Sequence, residues 1–452
     1  MQKALVVKVG IVLALSLLMI ALINLVGGIV SERQQRQLEV LTEISRDYSG
    51  AQRTASPMLV IPYTEEFENK DIDDKGRPRI IETKRVAHRL VYFPSDLGVE
   101  ANADTDWKHR GLFRALVYEW RADEAATFNV PSALPFVREK ADSRIILGTP
   151  SLVILLTDPR GLVRRPEATL DGHSLTFEAG SGTVRLEESI HSPIPLGWLQ
   201  TDKPLRLSMR VSLRGTESFG FVPYGDSTRV TLKSTWPSPS FAGAFLPTPQ
   251  SQQSSNSGFE ANWEVSSLGS SAQSDMETCV YGGACEGLNK EEAMEVHFIE
   301  PINIYSLSDR AIKYGFLFVW LIFGSFFLFE VVRNLRIHPA QYFLVGLAIA
   351  VFFLLLISLS EHLVFWIAYA TAATASTLVI TIYLSGVLAG VARGLGFGLG
   401  LASLFGALYI LLNSEDNALM LGSLLLFTLL TGAMVLTRKL DWYGLQPEQR
   451  SA

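Results

Sequence analysis

Residues 314–332 read YGFLFVWLIFGSFFLFEVV, and after RNLRIHPA the chain resumes at 341–360 as QYFLVGLAIAVFFLLLISLS. A bilayer core about 30 Å thick is crossed by a helix of about 20 mostly apolar residues. Both runs meet that requirement, and their one carboxylate, Glu330, lies near the end of the first. Two such runs in succession predict a membrane hairpin. Working outward, 363–392 is uncharged and overlong, so it predicts one tilted span with an uncharged end. Residues 395–412 and 418–436 follow as a final hairpin, and 9–30 forms an anchor at the other end of the chain. The expectation is six spans: one anchor, then a five-helix bundle over 314–436.

The gaps between these runs carry the topology. Lys and Arg collect on the cytoplasmic side of membrane proteins. Lys3 and Lys8 precede the anchor, Arg333 and Arg336 follow the second run, Arg393 precedes the fifth, and Arg438 and Lys439 follow the sixth. The alternate short gaps hold Glu361 with His362 and Glu415 with Asp416, without Lys or Arg. This alternation predicts cytoplasmic termini, 1–8 and 437–452, and an external segment over 31–308. The anchor run exceeds the roughly 7–15 apolar residues of a cleaved signal, and no clear small-residue cleavage site follows it. It is therefore expected to remain attached.

The external segment opens with SERQQRQLEVLTEISRDY, which sets Leu38, Leu41, Ile44 and Tyr48 at helical spacing. From Met58 onward the pattern changes to strands: MLVIPY, RVAHRLVYFP, SLVILLTD, LRLSMRVSLRG and STRVTLKSTWP. Short β-prone runs separated by turn residues predict a sandwich or barrel-like sheet. Asp171-Gly172 between alternating runs predicts a hairpin. Pro237 and Pro239 argue against a regular strand in WPSPSFAGAFLP. Residues 251–275 are Ser/Gln-rich and are expected to form a flexible excursion. Ser308 is the expected N-cap of the helix that re-enters the membrane. The fold class is thus a polytopic α-helical membrane protein with a large extracytoplasmic, sandwich-like all-β domain.

Charged residues make up 19% of the 452 residues and the net charge is −6, which excludes a chain-wide nucleic-acid binder. Two cysteines exclude a disulfide-rich scaffold and a four-thiolate zinc site. Cys279 and Cys285 enclose VYGGA on the external side and form a candidate disulfide, with two free thiols as the alternative. None of the seven histidines belongs to H-E-x-x-H, and neither a Walker loop nor G-x-S-x-G occurs. The sequence therefore offers no catalytic constellation, cofactor site or metal site. GLGFGLG at 394–400 lies in a membrane run and reads as small-residue helix packing.

Ionisable groups near a bilayer are the remaining site candidates. Glu361, His362, Glu415 and Asp416 form a candidate external-face cluster for a cation, a proton or an amine headgroup; solvated loop charges are the alternative. Glu330 and Arg333, three residues apart, form a candidate ion pair at the cytoplasmic interface.

Several longer motifs carry a family resemblance. They are Phe329-Glu330, RIHPAQYFLVGL at 336–347, LISLSEH at 356–362, NSEDNALMLGS at 413–423 and LTRKLDWY at 436–443. TWPSPSFAGAFLP at 235–247 and GFEANW at 258–263 add to them in the external part. The chain resembles the CreD inner-membrane proteins of Gram-negative bacteria over essentially its whole length. The resemblance implies a place in the inner membrane, a role in envelope integrity, and regulation with an envelope or nutrient stress two-component system. It implies no enzyme. The expected partners are membrane lipids and an envelope protein, not nucleic acid. The alternatives are a lipid or small-molecule transporter built on the bundle, and a periplasmic-facing membrane hydrolase.

Overall fold

A computed structural model describes residues 2–72, 78–182, 188–199, 203–249, 253–255, 257–281, 288, 292–298, 300, 303–333, 337–388, 390–414 and 417–438. The chain forms two compact units, Glu39–Pro301 and Met1–Leu38 with Ile302–Ala452.

Helix α1 spans Gln2–Asp47. Strands β1 (Gln52–Ala55), β2 (Met58–Ile72), β3 (Pro78–Tyr92), β4 (Asp96–Arg110) and β5 (Phe113–Phe128) follow. Then come β6 (Arg144–Leu147), β7 (Ser151–Leu155), β8 (Glu167–Leu170), β9 (His173–Leu175), β10 (Glu178–Ala179) and β11 (Ser189–Pro193). A single turn, α2 (Leu196–Leu199), leads to β12 (Leu205–Thr216), β13 (Ser218–Val222), β14 (Ser227–Ser234), β15 (Pro239–Gly243), β16 (Gln253–Ser255) and β17 (Gly258–Ser266). Helix α3 (Ala272–Val280) and β18 (Met294–Phe298) precede the helices α4 (Ile304–Arg333), α5 (Pro339–Ser360), α6 (Phe365–Val387), α7 (Val391–Asn413) and α8 (Ala418–Thr437).

The β unit is built on an eight-stranded sheet in the order β16-β17-β14-β4-β5-β12-β8-β9. Its pairs are antiparallel except β14 with β4. A six-stranded sheet and a four-stranded sheet, β1-β13-β18-β15, complete the unit. Period-two alternation drives one face of each strand inward. Leu97, Val99 and Ala101 of β4, Trp120 of β5 and Leu207 of β12 thus share one core with Leu59, Ile61 and Phe219. Trp120 stacks on Phe219 at a centroid distance of 4.4 Å. Burying side chains of this size contributes about 1.5–3 kcal/mol each. The start of β2 is buried on both faces, which accounts for its unbroken apolar run MLVI. Leu59 and Ile61 face the main core, while Met58 and Val60 join Met276 and Val280 of α3.

The hairpin expected at Asp171-Gly172 joins β8 to β9, with both residues at positive φ, 47° and 84°. These are the angles a two-residue turn requires in twisted antiparallel strands. Two strand expectations are corrected. Residues 251–275 are not an extended flexible excursion among the described positions: Gly258–Ser266 forms β17, antiparallel to β14. The physical reason is the alternation of Phe259, Ala261, Trp263 and Val265, all buried, behind a Ser/Gln-rich flank. Pro239 does begin a strand, β15, paired with β18 at the edge of its sheet. An edge tolerates the missing N–H.

In the helical unit, Met19, Ile23 and Val30 of α1 share an apolar core with Phe323 and Phe326 of α4 and Tyr342 and Phe353 of α5. A Cβ on Gly346 would meet Met19 at 2.6 Å, so α1 and α5 approach through that glycine. Within GLGFGLG, a Cβ on Gly394 or Gly398 would collide with Ser385 or Thr381, so α6 and α7 pack through these small residues. The overlong run at 363–392 divides into the whole of α6 and the first two residues of α7, with Gly390 extended between them. Helix α4 starts at Ile304 rather than at Ser308: Asn303 Oδ1 accepts from the Tyr305 and Ser306 N–H groups at 2.9 and 3.4 Å. Ser308 lies buried inside the helix.

Among the described residues five helices, not six, are long and apolar enough to cross a membrane: Val7–Asp47, Ile304–Phe327, Pro339–Ser360, Phe365–Val387 and Val391–Asn413. The run expected as the sixth span forms helix α8. Its described apolar stretch, Ala418–Gly432, falls short of a crossing length.

Candidate functional site

Glu361 is the C-cap of α5. The structure brings Arg33 of α1 to it, with Nε 3.4 Å from Oε1, and Tyr305 of α4 hydrogen-bonds to it. Its side chain is 9% exposed. His362 follows in the turn but is exposed and takes no part. Glu415 and Asp416 lie outside the described residues. Glu361, the one carboxylate of the expected external cluster among the described residues, is thus an anchor for α1 and α4. Sequence reading missed Arg33 and Tyr305; their one signal is position, just beyond the anchor run and just before the bundle.

Glu330 is 5% exposed on α4. It receives the Lys8 ammonium of α1, the Tyr342 hydroxyl at 2.8 Å and the Ile337 N–H at 3.1 Å. Lys8 also donates to the Ile337 carbonyl at 2.9 Å. Arg333 continues α4, with its side chain outside the described residues. The motif RIHPAQY owes its geometry to this centre. Ile337 presents backbone to Glu330 and Lys8, and His338 caps α5 by accepting from the Ala340 N–H at 3.2 Å. Gln341 closes the capping box, and Pro339 stands at the first turn, where a missing N–H costs little. Tyr342 then sends its hydroxyl back to Glu330.

Two grooves run along the helical unit. One, of about 740 Å³, lies between α4, α7 and α8 and is lined by Ile322, Phe329, Phe397, Leu401 and Leu425, with Arg393 at one end. Arg393 stands in the first turn of α7 and donates to the Leu388 carbonyl at 3.0 Å, closing the end of α6. The other, about 490 Å³, lies between α6 and α7 beside Trp366, Tyr369, Thr374 and Tyr409. Tyr369 turns its hydroxyl inward to the Phe405 carbonyl at 2.7 Å.

The β unit holds two buried carboxylates of opposite character. Burial alone would raise the Glu65 pKa. The Glu139 N–H, the Ser143 hydroxyl, the Lys140 N–H and His88 outweigh that and hold it down to about 2. Glu65 thereby clasps the loop ahead of β6 to β2. Glu124, between Val99 of β4 and Met209 of β12, has no hydrogen bond to Oε2, and burial pushes its pKa up to about 8. Cys279 is buried near the end of α3, and no described cysteine is a free thiol. Cys285 lies outside the described residues. No group of three or more His, Cys, Asp or Glu is placed to hold a metal among the described residues.

The family model for inner membrane protein CreD matches residues 4–443. The chain is 34% identical to the inner membrane protein CreD of Escherichia coli (strain K12) over 437 residues, covering 95% of this chain and 91% of that one. Among solved structures, an M1 zinc metallopeptidase from Deinococcus radiodurans aligns with a TM-score of 0.17 and 11% identity, covering 38% of each chain. A likeness that slight carries no argument about fold or activity. The RIHPAQY turn built around Glu330 and the anchor-plus-bundle arrangement lie within a match that runs almost end to end, and the chain belongs to the CreD family of inner membrane proteins.

Proposed function

We propose that this chain is an envelope-integrity protein of the inner membrane that works by binding rather than by catalysis. In this reading 1–8 and 437–452 are cytoplasmic and 31–308 is periplasmic, as the charge alternation supports. The envelope-stress role and the link to a two-component system rest on the family resemblance. The ligand of the helical unit is an anionic phospholipid, and the β unit is the surface offered to an envelope protein.

The observation that carries this reading is the groove between α4, α7 and α8. Its wall runs from Ala392 to Ala407 on α7, about 22 Å of helix at 1.5 Å per residue. That length and its apolar lining suit an acyl chain. Arg393 supplies a single cation at one end, in a first helical turn whose N–H groups favour an anion. A phospholipid phosphate satisfies both. The transporter reading is less well supported: Glu361, its main residue among those described, is engaged by Arg33 and Tyr305.

The test is identification of the lipids and proteins that copurify when the full chain is extracted gently from native membrane. Enrichment of an anionic phospholipid over the bulk membrane, lost in Arg393→Glu, supports the reading. Bulk lipid composition in both proteins overturns it.

A further inference from the structure

The glycines of GLGFGLG divide between two faces of α7. Gly394 and Gly398 share one face, and Gly396 and Gly400 share another. The first pair is filled: Ser385 and Thr381 of α6 stand where its Cβ atoms would be. The second pair is vacant, since a Cβ on Gly396 or Gly400 would meet nothing within 4 Å. Both line the groove between α4, α7 and α8, where Ala392, Ser403 and Ala407 extend the same wall of small residues. In a membrane such a wall is where two helix backbones approach closely. This one carries no helix.

Helix α8 is in the complementary condition. None of its described residues is buried. Ala418, Leu421, Gly422, Leu425 and Leu429 are half-buried and mark one face at helical spacing. That face is seated only near the start of the helix, where a Cβ on Gly422 would lie 3.8 Å from Leu411 of α7. Leu425, Thr428 and Leu429 line the groove. From Leu430 onward every described residue is exposed, and a Cβ on Gly432 would meet nothing within 4 Å. Helix α8 thus leaves α7 progressively along its length, and the groove of about 740 Å³ is the wedge this opens. With Asn413 ending α7 and Ala418 beginning α8, the two helices run antiparallel with the same rise per residue. Closing the wedge about the Gly422–Leu411 contact therefore brings Gly432 level with Leu401, beside Gly400.

We propose that α8 is a flap on the groove. It seats on the Gly396–Gly400 wall when the groove is empty and takes the splayed position when a lipid chain fills it. This rests on the lipid reading of the groove. Lipid tails are as apolar as leucine side chains, so no hydrophobic force separates the two positions. Close packing does. Seated, α8 gains contact with the glycine backbone of α7. Splayed, its Leu425 and Leu429 face meets the acyl chain instead. Each position supplies contacts that the other gives up, so a lipid that fits only the open groove shifts the balance. One glycine motif thereby carries a fixed contact, to α6, and a releasable one, to α8.

The test uses the full chain carrying Ser403→Cys with Leu429→Cys, one on each wall of the groove. Seating brings the two within the ~7 Å Cα separation that a disulfide requires. Each variant is first shown to melt like the parent when reduced. In phosphatidylcholine nanodiscs under mild oxidation, digestion without reductant should yield the 403–429 cross-linked peptide. Phosphatidylglycerol at about ten times its dissociation constant should slow the cross-link about tenfold. The pair Ser403→Cys with Phe427→Cys should stay open in both lipids, because Phe427 is 68% exposed and lies on the opposite face of α8. No cross-link of the first pair in either lipid, or equal cross-linking of both pairs, overturns the flap. Equal rates for the first pair in the two lipids overturn its control by lipid. The lipids that copurify with the parent tell these failures apart from failure of the groove reading: anionic enrichment keeps that reading, and bulk composition removes it as well.

Discussion

Lys8 and Glu330, 322 residues apart in the chain, form an ion pair inside the helical unit, and Tyr342 completes the carboxylate's shell. The Lys8 side chain is 26% exposed and the Glu330 side chain 6%, so the pair is largely removed from solvent. Removing one partner of a buried pair leaves the other charge uncompensated, at about 3–5 kcal/mol. Lys8→Met should fall near the lower end of that range, because Lys8 keeps some contact with solvent. The double variant Lys8→Met/Glu330→Gln should recover part of the loss, since no net charge remains. Thermal unfolding of the three proteins in the same detergent checks this. A single variant as stable as the parent would show that the pair contributes nothing.

That pair also shows where sequence reading stops. Glu330 stood out because a carboxylate inside an apolar run is costly, and Arg333 was the partner within helical reach. Lys8 read only as a topology signal, because nothing local joins the two ends of the chain. Arg33 and Glu361 repeat the case. The apolar runs, by contrast, were legible one by one, since a span is a local property of about 20 residues. The errors followed the same division. Composition hid β17 behind Ser and Gln, although Phe259, Ala261, Trp263 and Val265 already alternated. Pro239 argued against a strand only because its edge position in the sheet is a tertiary fact. Ser308 was the better N-cap by type, but Asn303 occupied the position where the chain turns into α4.

Glu124 should make the β unit less stable as pH rises. Burial raises its folded pKa from its ordinary 4.5 to about 8, so the folded carboxyl holds its proton more tightly than the unfolded one. Its contribution is complete below pH 4.5 and is lost as pH rises towards about 8, by about 1.4 kcal/mol per pH unit in that window. Glu124→Gln, neutral throughout, should unfold at a higher temperature than the parent at pH 8, with the gap narrowing at pH 5. Melting curves at the two values decide it. A gap that does not change with pH would place the proton elsewhere.

Glu65 should act in the opposite sense. Despite burial, its bonds from the Glu139 and Lys140 N–H groups, Ser143 and His88 hold the pKa at about 2. The stability it contributes is present above its ordinary 4.5 and is lost as pH falls towards about 2. Glu65→Gln keeps one acceptor oxygen but loses the charge. The amides of Glu139 and Lys140 should then exchange hydrogen faster at neutral pH, while those of β4 and β5 hold their protection. Exchange mass spectrometry reads both regions in one experiment, and unchanged exchange at 139–140 would remove the clasp from the account.

Cys279 and Cys285 bear on the placement of the β unit as well as on its stability. A disulfide between them would close a short loop, worth about 2 kcal/mol by the chain-entropy estimate. Structural disulfides persist in oxidising compartments and are rare in a bacterial cytoplasm. Thiol trapping in intact cells should therefore find neither cysteine reactive before reduction and both reactive after it. Digestion without reductant should yield one cross-linked peptide. If both residues alkylate without reduction, the pair does not form, and the periplasmic assignment loses one support while the charge alternation remains. If the cross-link is present but breaks at low reductant concentration, it lies exposed and serves a redox role rather than holding the end of α3. Cys279→Ser separates stability from redox: a fall in melting temperature of the size expected for the lost loop closure identifies a structural bond.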